Sequence, residues 1–256
     1  MLFFFKLWST CRGWHFHFLW WMPVVAVGQQ NLFNIPSGDI TAKGKVFYQH
    51  QLNFYSLKEF DSKSHLVFGT GRGWEIGVNL VDVPFRLVSD SAAIGFNDSQ
   101  SRKPLYPLLM ATVQKQVKLD EKISLNFGIQ AGPNLTTRIH NKVLAHFTYA
   151  TMKWHFKRGF LIAGPYYTNH VFTGGNRHTT GWIFGYEIPL AERFALMGDF
   201  ISGGHKKSVS TFGFIYDISK RTQLCIGSLL PFPNLDLPGG LVIELNVFGW
   251  DYKNDH

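Results

Sequence analysis

"ISLNFGIQAG", Ile123 to Gly132, is the stretch whose reading decides the fold. Ile123, Leu125, Phe127, Ile129 and Ala131 share one parity. Ser124, Asn126, Gly128, Gln130 and Gly132 share the other. Successive side chains of an extended strand point to opposite faces, so this segment has one apolar and one polar face. The apolar face covers either the core of a soluble sandwich or the hydrocarbon of a membrane.

The rhythm recurs along the chain. "KVFYQHQLNFY" sets Val46, Tyr48, Leu52 and Phe54 against Phe47, Gln49, Gln51 and Asn53, with His50 the one break in the apolar row. "WEIGVNLV" sets Trp74, Ile76, Val78 and Leu80 against Glu75, Gly77, Asn79 and Val81. "GWIFGYEIPL", "TFGFIYDI" and "LVIELNVF" alternate in the same way and leave Glu187, Asp217, Glu244 and Asn246 on the polar side. Around 105 to 117, 143 to 156, 160 to 171, 194 to 202 and 222 to 230 both faces carry apolar residues, but the Phe, Tyr, Val, Ile and Thr content still reads as strand. Apolar residues nowhere recur with helical period over ten residues, so no helix is expected after the N-terminus.

The links between runs alternate in length. "LDEK", "FKRG", "LAER" and "ISKR" are short; residues 83 to 104, 133 to 142, 173 to 179, 202 to 207 and 231 to 240 are longer. Alternate short and long links mark an up-and-down barrel whose ends face different compartments. The expected fold is therefore all-β, an antiparallel up-and-down transmembrane barrel of about 12 strands (range 10–14).

Three observations favour this over a soluble secreted or periplasmic β-sandwich binding protein. The runs fit the 9 to 11 residues of a membrane-crossing strand better than the 5 or 6 of a soluble one. Only 16% of residues are charged, against about a quarter in soluble domains. Aromatics make up another 16%, and Trp74, Tyr166, Tyr167, Trp182, Phe194 and Trp250 sit near run ends, where interfacial girdles form.

Residues 1–28 read as a signal peptide. Lys6 and Arg12 precede an apolar stretch that closes on Ala26-Val27-Gly28, and the stretch is too short to span a bilayer. The remaining organisation is an N-terminal segment 29–44, a barrel domain 45–250 and a polar tail 251–256. Removal of the leader lowers the net charge by two from the +8 of the whole chain and leaves Cys225 as the one cysteine. A disulfide-stapled domain is thereby excluded.

On the barrel reading the lumen is lined by Gln49, Gln51, Asn53, Glu75, Asn79, Asn126, Gln130, Glu187, Asp199, Asp217, Glu244 and Asn246. Buried charge must be paired or hydrated, so the inward carboxylates are expected to meet inward Arg or Lys, or water. They form either a structural network that plugs the barrel or a polar permeation path. Eight strands are filled by side chains and 16 to 18 leave a wide channel; twelve lies between. The favoured function is passage or binding of a small hydrophilic solute.

Catalytic signals are weak. "GTGRG" at 69–73 lacks the helix a phosphate loop needs and reads as a hairpin turn. The histidines show no metal-ligand spacing, and neither metal nor other cofactor is expected. Ser64, Ser208, Ser210, His178 and His205 are candidates for an outer-membrane lipid-modifying hydrolase, with no local motif assembling them. Basic loop residues such as Lys206 and Lys207 suit anionic lipid headgroups better than nucleic acid, which is not an expected partner.

"NLFNIPSGDITAKGKVFYQHQLNFYS", "GRGWEIGVNLVDV" and "YDISKRTQLCIGSLLPFPN" resemble uncharacterised outer-membrane β-barrel proteins of Gram-negative bacteria. The resemblance implies outer-membrane lipid as surroundings and insertion by the barrel-assembly machinery. Such proteins often end on an aromatic residue, whereas here Phe248 and Trp250 are followed by "DYKNDH".

Overall fold

A computed structural model describes residues 31–88, 91–94, 106–135, 142–175, 178–232 and 238–251. The leader lies outside them. Thirteen strands form one antiparallel sheet: β1 Val46–Ser56, β2 Glu59–Gly71, β3 Trp74–Val88, β4 Ser91–Ile94, β5 Leu108–Lys118, β6 Ile123–Pro133, β7 Leu144–Phe156, β8 Gly159–Thr168, β9 Thr180–Ala191, β10 Phe194–Ile201, β11 Val209–Ser219, β12 Thr222–Pro231 and β13 Gly240–Phe248. Each strand pairs with its sequence neighbours, β3 reaching past β4 to β5, and β1 pairs with β13 from Phe47↔Phe248 to Phe54↔Leu241. The ring therefore closes on twelve strands, with β4 hanging from the end of β3.

One end of the barrel, the turn end, carries the tight links 72–73, 119–122, 157–158, 192–193 and 220–221. "GTGRG" is a hairpin there: Arg72 and Gly73 both have positive φ (53° and 75°), as a two-residue turn matching the strand twist requires. The opposite, loop end carries the longer links and the short turn between β1 and β2.

The side-chain directions show what the apolar face covers. In β6, Phe127 and Ile129 are 47% and 46% exposed on the outside, while Asn126 is fully buried inside. The outer surface repeats this apolar pattern on every long strand. Exposed Trp74, Trp154, Phe194 and Tyr216 ring the turn end, and Tyr167 and Trp182 mark the loop end. A single closed layer has no second sheet to cover that face, so it is a lipid-facing belt and the sandwich alternative falls.

Two details differ from the sequence reading. Residues 59–71 form β2 although they show no clean alternation, because the inward positions Asp61, Lys63 and His65 give the run the polarity of a link. The link expected at 83 to 104 is shorter: β3 continues to Val88 beyond a register shift at Asp82, whose φ is 54°.

The interior is also less polar than the alternation suggests. Along β7 to β13, Phe147, Phe160, Ile162, Ile183, Met197 and Ile215 face inward and form a core with Leu32, Phe33 and Ile35 of the N-terminal segment. Those inner positions are apolar because the chain supplies its own filling. A smaller cluster of Phe47, Val67, Phe248 and Trp250 closes the lumen near the turn end.

Candidate functional site

Residues 31–43 run inside the barrel and stopper it. The segment leaves the wall at the turn end, where Gly44 N–H donates to Gly69 O at 2.8 Å. It then rises to a tight turn in which Leu32 N–H donates to Ile35 O at 2.9 Å, placing Asn34 at the tip. Two glycines let the stopper fit, Gly185 in the wall and Gly38 in the segment itself. A Cβ on Gly185 would clash with Leu32 Cδ1, and one on Gly38, whose φ is +79°, would stand 2.6 Å from Asn126 Nδ2.

Polar tethers fix the stopper at three heights. Asp199 on β10 accepts from the backbone amides of Asn34 and Ile35, the latter at 3.2 Å, and Asn34 Nδ2 also donates to Thr211 Oγ1 at 2.7 Å. Asp39 pairs with Lys153 Nζ at 2.5 Å, and that ammonium lies 3.6 Å from the centre of the Phe160 ring. Near the turn end, Glu75 accepts from Thr41 N–H at 2.9 Å and Thr41 Oγ1 at 3.0 Å. Two of the inward carboxylates are thus answered by the chain's own N-terminal segment. Backbone amides are oriented donors that bring no extra charge into the lumen, and inward lysines add their field, Lys63 at Asp199 and Lys153 at Glu187. Asp217 and Glu244 instead accept from Gln223 and Asn246, both at 3.0 Å.

Above the tip of the stopper lies a chamber of about 430 Å³ that opens toward the loop end. Gln49, Gln51, Asn53, Asn79 and Gln130 line it. Of the other residues singled out in the sequence, Glu75, Asn126, Glu187, Asp199, Asp217, Glu244 and Asn246 are inward but lie around the stopper, outside the chamber wall. The chamber also contains Asp61, Lys63 and His65, which the sequence reading missed together with the strand carrying them. Their signal was present: ionisable side chains at i, i+2 and i+4 opposite Leu66 and Phe68. The facing wall is apolar, with Phe33, Phe147, Phe172 and Leu229.

The loop 202–208 overhangs the mouth. His205 is buried and reads as neutral: its Nδ1 accepts from Lys207 N–H at 3.2 Å, and its Nε2 donates to Tyr166 Oη at 2.6 Å, which donates on to Ser202 O. Burial, with a smaller contribution from His178, drives the imidazole from its ordinary 6.5 down to about 4. Lys207 pairs with Asp82, and its ammonium sits 4.6 Å from the Tyr106 ring centre.

The hydrolase candidates do not assemble. Ser208 Oγ accepts from the backbone amide of His205, at 3.0 Å, and not from its ring; His178 is exposed. On the outer face His50 Nδ1 lies 3.0 Å from Ser64 Oγ, but Tyr48 Oη approaches the same nitrogen. The second ring nitrogen has no orienting partner among the described residues, and two polar groups satisfying each other against lipid account for the pair.

No protein-family model matches the chain, and no curated protein sequence matches it. Solved structures do resemble it. A KdgM porin in complex with disordered oligogalacturonate is similar over 79% of this chain and 98% of its own, at 8% identity and a TM-score of 0.47. A NanC porin is similar over 80% and 99%, at 11% identity and 0.48. The Salmonella typhi outer membrane phospholipase dimer with bound calcium is similar over 88% and 96%, at 9% identity and 0.49. Identities this low transfer no residue role and no activity. On its own geometry the chain is a twelve-strand barrel with an apolar exterior, the build of a channel-like outer-membrane barrel.

Proposed function

We propose that the protein is an outer-membrane barrel that admits a small hydrophilic solute from the loop end into the chamber, with residues 31–43 controlling onward passage. The observation that carries this reading is the chamber itself: a cavity of about 430 Å³ lined by Gln49, Gln51, Asn53, Asn79 and Gln130, lying above a segment held to the wall by Asp199 and Lys153. The amide-lined chamber then serves as the vestibule.

The remaining parts follow the same reading. The leader is removed near residue 28 during export, the barrel-assembly machinery inserts the mature chain, and outer-membrane lipid covers the apolar belt. Swelling of proteoliposomes containing the full mature chain tests the proposal. Solute-dependent swelling that stops above a few hundred daltons is expected. Swelling indistinguishable from empty liposomes, for the native chain and for variants with a loosened stopper, would refute it.

A further inference from the structure

We propose that the chamber binds a small solute carrying both an ammonium and a carboxylate, the carboxylate on Lys63 and the ammonium on Asp61. This rests on the solute-barrel reading above and names the class of solute. Asp61 and Lys63 stand two residues apart on β2, so their side chains leave the same face about 7 Å apart. Among the described residues neither forms an ion pair. Lys63 Nζ donates to the neutral Asn34 Oδ1 at 3.0 Å, and Asp61 Oδ2 accepts from the neutral Tyr55 Oη at 3.3 Å.

The charges around them are differently placed. Asp82 holds Lys207, and Glu59 holds Arg86 at 3.2 Å nearer the loop end. Lys206 lies over the Tyr106 ring at 4.9 Å. Asp61 and Lys63 are therefore the opposite charges that line the chamber side by side without a salt bridge, while Lys207 adds positive field at Asp61 and Asp199 and Glu244 add negative field at Lys63. Charge held away from bulk water favours an opposite charge in contact. A simple anion would answer Lys63 and leave Asp61; a simple cation would do the reverse. A molecule with both signs answers both and leaves the chamber's net charge unchanged. The apolar wall opposite, with Phe147 and Phe172, seats the hydrocarbon part.

The test is equilibrium dialysis of the full mature chain in detergent micelles at low ionic strength. The probes are γ-aminobutyrate, butyrate and n-butylammonium, equal in carbon number and different in charge. γ-Aminobutyrate is expected to bind the native protein at least about tenfold more tightly than either singly charged probe, one charge-assisted contact being the difference. Asp61→Asn and Lys63→Gln should each remove that preference; butyrate should weaken only with Lys63→Gln, and n-butylammonium only with Asp61→Asn. The native comparison needs no variant, so a variant that fails to fold leaves it standing. Equal affinity for all three probes would overturn the proposal while leaving the barrel reading intact. No binding of any probe, together with no liposome swelling, would overturn both.

Discussion

The carboxylate of Asp199 accepts hydrogen bonds from the backbone amides of Asn34 and Ile35, residues 165 and 164 positions earlier in the chain. One wall residue thereby holds the tip of the stopper in mid-lumen. Asp199→Ala leaves these amides without an acceptor, a loss of about 1–3 kcal/mol for a buried donor. The expected outcome is a barrel that still resists SDS until heated but conducts more and opens more often in planar bilayers. Asp199→Asn keeps one acceptor oxygen and should have a smaller effect.

Gly185 tests the stopper by shape. A β-branched side chain there collides with Leu32 Cδ1 and approaches Ile35 Cδ1 at 2.8 Å before its outer atoms are counted. Overpacking a filled core costs about 1–3 kcal/mol, and a segment held by few tethers yields before a closed sheet does. Gly185→Val should raise protease sensitivity within residues 31–43 while leaving the electrophoretic heat shift in place.

The two faces of β6 should respond oppositely to charge. Ile129 lies on the exposed apolar face and Gln130 on the chamber wall. Lysine at the lipid midplane costs about 2–4 kcal/mol, whereas a lumen lysine is hydrated. Ile129→Lys should lower membrane-inserted protein, measured by fractionation, and Gln130→Lys should leave insertion near the native level.

The His205 latch gives a pH dependence with a definite sign. Its folded-state value near 4 lies below the ordinary 6.5, so the unfolded loop takes up the proton first. Stability from this residue is complete above about 6.5 and falls as pH drops through the window from 6.5 to about 4. The measurement is the midpoint temperature of the heat shift at several pH values. The native chain should lose more between pH 7 and 4 than His205→Gln, which cannot take up the proton.

The barrel was legible because strand alternation is a local property. Ile123 to Gly132 shows its two faces without reference to any other residue, and twelve strands with alternating links follow from repetition. The stopper was not legible, because Leu32, Phe33 and Ile35 carry no period and acquire meaning only beside Gly185 and the inward apolar side chains of β8 to β10. For the same reason Glu75 and Asp199 could be placed inside while their partners, Thr41 and Asn34, could not be named. The chamber was half visible: the amides of β1 stood on a clean alternating run, whereas Asp61, Lys63 and His65 disguised β2 as a link.

The most direct test of a stoppered transmembrane barrel is single-channel recording of the native chain beside Asp199→Ala in one planar-bilayer preparation. The expected result is insertion of both, with the native chain mostly closed and the variant open for a several-fold larger fraction of the time. A native chain that is steadily open, with conductance unchanged by the substitution, would contradict a lumen stoppered by residues 31–43. Failure of either protein to enter the bilayer, with recovery in the aqueous phase, would contradict the outward face of "ISLNFGIQAG" as a lipid-facing surface.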